Sequence, residues 1–312
     1  MDRIPVTSRQ LARVVFWMTG ALLSFCVMAV SIRELGDTLS IMEILAVRAA
    51  FGVAIVVGLM LARTDLRGAI SRRRLPLHAL RNGVHFGSQY LWATGLLLLP
   101  LATVFALEFT MPAWTTLLAA MFLGERLTVS RIGAVILGLV GVLVILRPGI
   151  ESFQPAALLV LAAALGYAGS LITTKMLTTT ESNFAIIFWM NVIQLPLACV
   201  GADPLFVTKL TLHQVAPVIG VGISGVSAHF CLASAFRAGD AGLVVPLDFL
   251  RIPLIALVGW WLYGERLDIF VFAGAGLIIS GILWNLRSEA RGPLMVGGTG
   301  GRAGGMAGPG RR

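Results

Sequence analysis

The sequence predicts an all-α polytopic membrane protein in which ten transmembrane helices form two inverted five-helix repeats, and three observations carry that prediction. The first is composition: of 312 residues, 57% are apolar and only 12% are charged, too few polar side chains to cover a water-soluble body of this size. The second is the placement of the 24 basic and 15 acidic residues, which leaves long stretches without any charge. The third is a self-similarity at an offset of 140 residues.

A helix needs about 20 apolar residues to cross the hydrocarbon core, whereas a barrel strand needs about 9–11 in strict alternation. The runs here are long and do not alternate. Apolar stretches bounded by charge, Gly or Pro fall at 14–33, 41–62, 80–99, 102–122, 131–147, 155–175, 184–201, 214–236, 241–262 and 269–287. The first run is long enough to span and lacks a convincing cleavage site, so it reads as an uncleaved first helix rather than a secretory signal. No charge separates the third and fourth runs at Leu99-Pro100-Leu101, but Arg81 and Glu125 enclose 43 residues with Glu108 as the sole charge, too many for one helix. Two helices with a tight hairpin fit. Residues 1–13 are then a cytoplasmic N-terminus, 14–149 the first repeat, 150–288 the second, and 289–312, rich in Gly and Arg, a disordered cytoplasmic tail.

With the N-terminus in the cytoplasm, eighteen of the 24 basic residues fall in cytoplasmic segments, and Arg33, Arg147, Lys209 and Arg266 fall outside. The positive-inside rule therefore places both termini in the cytoplasm of a cell whose inner membrane holds the chain. The net charge of +9 is an orientation signal and not a sign of nucleic-acid binding, although Ser71-Arg72-Arg73-Arg74 can also touch anionic lipid heads. Cys26, Cys199 and Cys231 all lie in predicted spans without CxxC spacing, so no disulfide framework, metal site or cofactor is indicated.

At the 140-residue offset Gly124-Glu125-Arg126-Leu127 aligns with Gly264-Glu265-Arg266-Leu267 without a gap. Val104/Val244, Leu107/Leu247, Phe109/Phe249, Leu117/Leu257, Gly141/Gly281 and Arg147/Arg287 also coincide, with Glu108/Asp248 as a conservative pair. Apolar matches are cheap in such a composition; an acidic residue in mid-span and a charged tetrapeptide at a span end are not. Five spans per half is an odd number, so the second half enters the membrane upside down. Inverted repeats are a transporter architecture, because two half-structures can exchange conformations around a midplane site.

These stretches also resemble a known family. Leu99-Pro100-Leu101-Ala102, the mid-span Ala106-Leu107-Glu108-Phe109-Thr110 with Pro112, Phe122-Leu123-Gly124-Glu125-Arg126-Leu127 and Leu146-Arg147-Pro148-Gly149 are similar to the end of an EamA-type domain of the drug/metabolite transporter superfamily. Tyr263-Gly264-Glu265-Arg266-Leu267 repeats the pattern without the Arg-Pro-Gly ending. The resemblance covers about residues 10–290. It implies ten helices, a central cavity and secondary transport of small organic metabolites, with export favoured over uptake, and its shared motifs say nothing about the substrate.

A charge in mid-membrane costs several kcal/mol on insertion scales and needs a partner, a wet cavity or neutralisation. Asp248 and Arg251 are three apart, on one helical face, and can neutralise each other or meet a charged or zwitterionic substrate. Glu108 has no basic residue one turn away; it needs a partner on another helix, for which Arg48 is available, or it carries a proton and couples transport to a proton gradient. Arg48 itself requires cavity exposure or an ion pair, and Glu43 is placed at the outer interface. The third span carries His85, Gln89, Tyr90 and Trp92, with Gln89 repeat-equivalent to His229, which suggests polar cavity lining on spans three and eight. Trp189, Asn191 and Gln194 on the seventh span offer an aromatic and two amides. The GERL motifs follow helix ends and read as structural bridges. Gly222-Ile223-Ser224-Gly225 resembles the GxSG serine motif of rhomboid intramembrane proteases, but a duplicated ten-helix body has no rationale in a protease and His229 shares the helix of Ser224. A passive channel is a more serious rival, although nothing resembles a charge ring or filter loop. The reading is a secondary carrier, not an enzyme, for a small amphipathic or zwitterionic metabolite in a lipid bilayer; oligomeric state cannot be read.

Overall fold

A computed structural model describes residues 8–124, 128–147, 154–238, Val244 and 247–291. Every regular element in them is helical: α1 (Ser8–Gly36), α2 (Ile41–Ala62), α3 (Leu75–Leu98), α4 (Leu101–Glu108), α5 (Met111–Leu123), α6 (Val129–Leu146), α7 (Ala157–Thr178), α8 (Asn183–Val200), α9 (Val215–Ala238), α10 (Arg251–Tyr263) and α11 (Ile269–Arg291), with short 3₁₀ turns between some of them. Among the described residues seven spans are long and apolar enough to cross a membrane, one of them α4 and α5 taken together, and 184–200 and 251–263 are shorter apolar helices. The tenth is α3, whose 24 residues are long enough to cross but carry buried His78, Arg81, Asn82, His85 and Gln89.

Local signals account for the helix ends. Ser40 caps α2 in a reciprocal box, its Oγ accepting from Glu43 N at 3.3 Å while Glu43 Oε2 accepts from Ser40 N at 2.7 Å. Pro76 opens α3 and Pro112 opens α5. The fourth span breaks between α4 and α5 at Phe109 and Thr110, where Thr110 Oγ1 donates to Leu107 O at 2.7 Å. Gly124 (φ 67°) and Gly264 (φ 63°) close α5 and α10 in the left-handed conformation that a residue without Cβ adopts without strain.

The 140-residue register extends to geometry. α3 and α9 have the same bounds after the shift, as do α5 and α10, and α6 and α11 start in register. Packing follows the same symmetry. α1 lies chiefly on α9 while its equivalent α7 lies on α3; α2 meets α8, and α6 meets α11, each helix facing its own repeat-mate. The α6–α11 crossing is backbone on backbone: a Cβ on Gly141 would stand 2.6 Å from Gly274 O, and one on Gly274 would stand 2.5 Å from Gly141 O. The core clusters around Phe105, Leu101, Leu107, Ile252 and Ile255, on the broken span and its neighbour. The first GERL copy beyond Gly124, the Arg-Pro-Gly ending beyond Arg147 and the tail from 292 lie outside the described residues.

Candidate functional site

A cavity of about 360 Å³ opens between the two repeats. α3 supplies Arg81, His85, Gln89 and Trp92, one helical stripe; α7 supplies Tyr167, Ser170 and Thr174; α1, α2 and α9 supply Phe25, Arg48 and His229; the broken spans supply Glu108, Met111, Asp248 and Arg251.

In one part of the wall, Arg251 binds two carboxylates. Its Nη2 donates to Asp248 Oδ1 and Oδ2 at 2.5 and 2.7 Å, and its Nη1 to Glu108 Oε1 at 3.4 Å. The guanidinium lies over Phe25, 3.8 Å from the ring centroid, and Trp92 Nε1 donates to Glu108 Oε2 at 2.8 Å. Glu108 and Asp248 are repeat equivalents, and so are Phe109 and Phe249, whose rings touch edge-on at 5.1 Å. The pseudo-twofold axis therefore passes through this cluster, which explains why residues so far apart in sequence share one arginine.

Another part is arranged differently. Gln194 Nε2 donates to His85 Nδ1 at 2.9 Å, and the His85 ring packs edge-on to Tyr167 at 5.5 Å. Arg81 donates to Thr174 Oγ1 at 3.2 Å and to Asn82 Oδ1 at 2.6 Å. No hydrogen bond or ion pair among the described residues reaches Arg48, whose Nε is buried without a partner, as is Gln89 Nε2.

The two mouths contrast as well. Past Trp92 the helices are tied together: Arg33 pairs with Glu265 and donates to the carbonyls of Leu96 and Leu99, while Glu265 Oε2 accepts from Leu101 N at 2.9 Å. Arg147 bonds Asp268 at 2.5 Å. At the same end Lys209 bridges Glu43 at 2.8 Å and Asp203 at 3.1 Å, and these carboxylates hold its ammonium above its ordinary pKa. In the other direction the cavity shares Leu171 and Thr174 with a second hollow of about 530 Å³, lined by Thr115, Thr116, Arg131, Lys175 and Asn285.

Of the residues singled out from sequence, Glu108, Asp248, Arg251, Arg48, His85, Gln89, Trp92 and His229 line the cavity. Three lie elsewhere. Tyr90 faces outward and is 37% exposed, because it sits 100° around α3 from the Gln89 position. Trp189 Nε1 donates to Ser71 O at 2.8 Å and ties α8 to the loop after α2. Asn191 bonds its own helix at Ile187 O, 2.9 Å away, and its amide fills the space over Gly52 of α2. The expected Arg48–Glu108 pair does not form either: Arg251 and Trp92 take both Glu108 oxygens. Glu43 is buried and paired instead of being merely interfacial. Sequence reasoning missed Arg81, Tyr167, Ser170 and Thr174, although Arg81 extends the His85/Gln89 stripe by one turn and 167, 170 and 174 form a polar stripe on an apolar helix. Ser224 Oγ is buried with no partner among the described residues, so the GxSG motif forms no Ser–His dyad with them.

Two symmetry-related helical halves around a polar midplane cavity define a membrane transport protein. The chain belongs to the EamA-like transporter family, whose model matches residues 12–147 and 154–287, one domain per repeat. It is similar to a riboflavin transporter of Rhizobium johnstonii, 34% identical over 203 residues, which are 64% of this chain and 66% of that one. An S-adenosylmethionine uptake transporter of Rickettsia bellii is 29% identical over 69% of this chain and 74% of its own. The pseudopaline exporter CntI of Pseudomonas aeruginosa is 28% identical over 82% and 89%. A solved crystal structure shares the fold, with a TM-score of 0.59 at 18% identity, covering 90% of this chain and 97% of that one. The protein is thus a multi-pass membrane transporter of small metabolites and not an enzyme.

Proposed function

We propose that the protein is a secondary carrier of the inner membrane that moves a small amphipathic or zwitterionic metabolite by alternating access, in the direction of export, with both termini cytoplasmic. The observation that carries the reading is the cavity between the repeats, whose wall holds Arg251 with two acids and, apart from that cluster, Arg48 and Arg81. Such a space matches a solute bearing charges of both signs, and the rings of Phe25, Trp92 and Tyr167 match a flat one. Riboflavin and S-adenosylmethionine, named for two of the relatives, both contain a flat heteroaromatic ring system, and they are the first solutes to try.

The mouths support alternating access. The Arg33–Glu265 and Arg147–Asp268 bridges close the end assigned to the outside, and the wide hollow beside Thr174 opens the end assigned to the cytoplasm. An inward-open state is the one in which an exporter loads. Relatives of both directions exist, four named S-adenosylmethionine uptake transporters and one named a pseudopaline exporter, so the direction is taken from the wider family resemblance.

The test is counterflow in proteoliposomes, with labelled riboflavin and S-adenosylmethionine first and then hits from a thermal-shift screen of metabolites. A carrier takes up label faster when unlabelled solute is inside. Uptake that is indifferent to internal solute would mark a passive facilitator. Proton coupling through Glu108 is checked on the same vesicles: a Glu108→Gln variant that transports with unchanged pH dependence removes it.

A further inference from the structure

We propose that the cavity selects its solute by an acid group, zwitterions included, and that Arg48, seated by Gly225, is the anchor for that group. The proposal rests on the reading of this cavity as the transport site and adds a substrate class to it.

Three guanidiniums line the cavity, those of Arg48, Arg81 and Arg251, against two carboxylates, Glu108 and Asp248. Arg251 is committed to both acids, and Arg81 donates to Thr174 and Asn82. Arg48 remains as the lining cation that no described hydrogen bond or ion pair reaches. The buried lining nitrogens without partners are Arg48 Nε, Gln89 Nε2 and Arg251 Nε, and no buried lining oxygen lacks a partner among the described residues. All three orphans are donors. Those three atoms have almost no accessible surface, but the terminal nitrogens of the part-exposed Arg48 guanidinium are neither buried nor bonded, and a planar carboxylate fits that fork best. A solute whose only charge is an amine would add a cation beside an uncompensated one and leave the donors unmet.

Gly225 explains how Arg48 is held. A Cβ there would stand 2.8 Å from Arg48 Nε and 3.3 Å from its Cγ, so the guanidinium stem lies directly against the α9 backbone. One turn-edge away, Gly222 seats the ring of Phe51, also from α2, with a Cβ position 2.3 Å from the ring. The glycines of the GxSG motif are therefore a groove in α9 for two α2 side chains.

Charge selection can be read without knowing the substrate. In the full chain, with Cys26, Cys199 and Cys231 changed to Ser, a single thiol is placed by His229→Cys, a cavity position within electrostatic range of Arg48. Its rates with an anionic methanethiosulfonate (sulfonatoethyl) and a cationic one (trimethylammonioethyl) are each divided by the rate for free cysteine. The corrected ratio is expected to favour the anion by about tenfold or more, as a charge-lined cleft concentrates counter-ions. Arg48→Gln should lower the ratio by about fivefold, and Arg48→Lys should retain most of it because the charge persists. Gly225→Ala, which displaces the guanidinium without removing it, should give an intermediate ratio. A ratio at or below one, or a ratio unchanged in a folded Arg48→Gln variant, overturns the proposal; should Arg48→Gln not fold, loss of the preference in Arg48→Lys does so. Counterflow failing while the anion preference holds would instead overturn the carrier reading alone.

Discussion

In one part of the cavity wall Arg251 lies between Asp248 and Glu108, stacked on Phe25, with Trp92 completing the second acid; in another, Arg48 lies along the α9 backbone with no counter-ion among the described residues. Both are guanidiniums at membrane depth, where an uncompensated charge costs several kcal/mol. The Arg251 cluster offsets that cost internally, and it does so across the repeat boundary, which fastens the two halves at their axis. Arg48 has no such offset among the described residues. One part is finished architecture, and the other has its binding capacity unspent.

The comparison is broken most strongly at its finished part. Arg251→Gln leaves two carboxylates buried together, and the expected loss is about 3–5 kcal/mol of stability, read as a large fall in the thermal midpoint in detergent. A midpoint within a degree of the parent would mean that the cluster is wet and not structural. Trp92→Phe keeps the ring and removes only the bond to Glu108; a charge-assisted hydrogen bond of this kind contributes about 1.5–3 kcal/mol, so its midpoint should lie between those of Arg251→Gln and the parent. Arg48→Gln sharpens the contrast by doing least: no loss, and a gain of up to about 1 kcal/mol, because a charge with no internal partner is removed. A loss approaching that of Arg251→Gln would show that Arg48 is structural and would put the two parts on the same footing.

Much of this was legible in the sequence. The 140-residue offset places α3 over α9 and α5 over α10, and the Leu99-Pro100-Leu101 hairpin separates α3 from α4. The isolation of Glu108 demands a partner on another helix, and the i,i+3 spacing of Asp248 and Arg251 allows the pair that forms. The choice between Arg48 and Arg251 as the Glu108 partner was not legible, because the two arginines approach from different helices and only the crossing geometry at the axis decides which arrives. Tyr90 illustrates a different kind of miss: its position on α3, 100° from Gln89, already turns it away from the His85/Gln89/Trp92 face. For Trp189 and Asn191 the sequence shows polar groups in a span, but their partners, Ser71 O and the hollow over Gly52, come from segments more than 100 residues away.

By itself the sequence determined the membrane class, the two halves and their inversion, because these follow from local quantities: hydropathy, charge placement, an odd number of spans and a repeat in register. It also named four of the five charged residues at the cavity, Arg48, Glu108, Asp248 and Arg251, since charge is scarce inside a bilayer and each instance stands out. Only the tertiary structure decided which charges are spent and which are not. Pairing depends on distances of about 3 Å between side chains on separate helices, and those distances are set by how α2 sinks against Gly225 and how the two broken spans meet at Phe109 and Phe249.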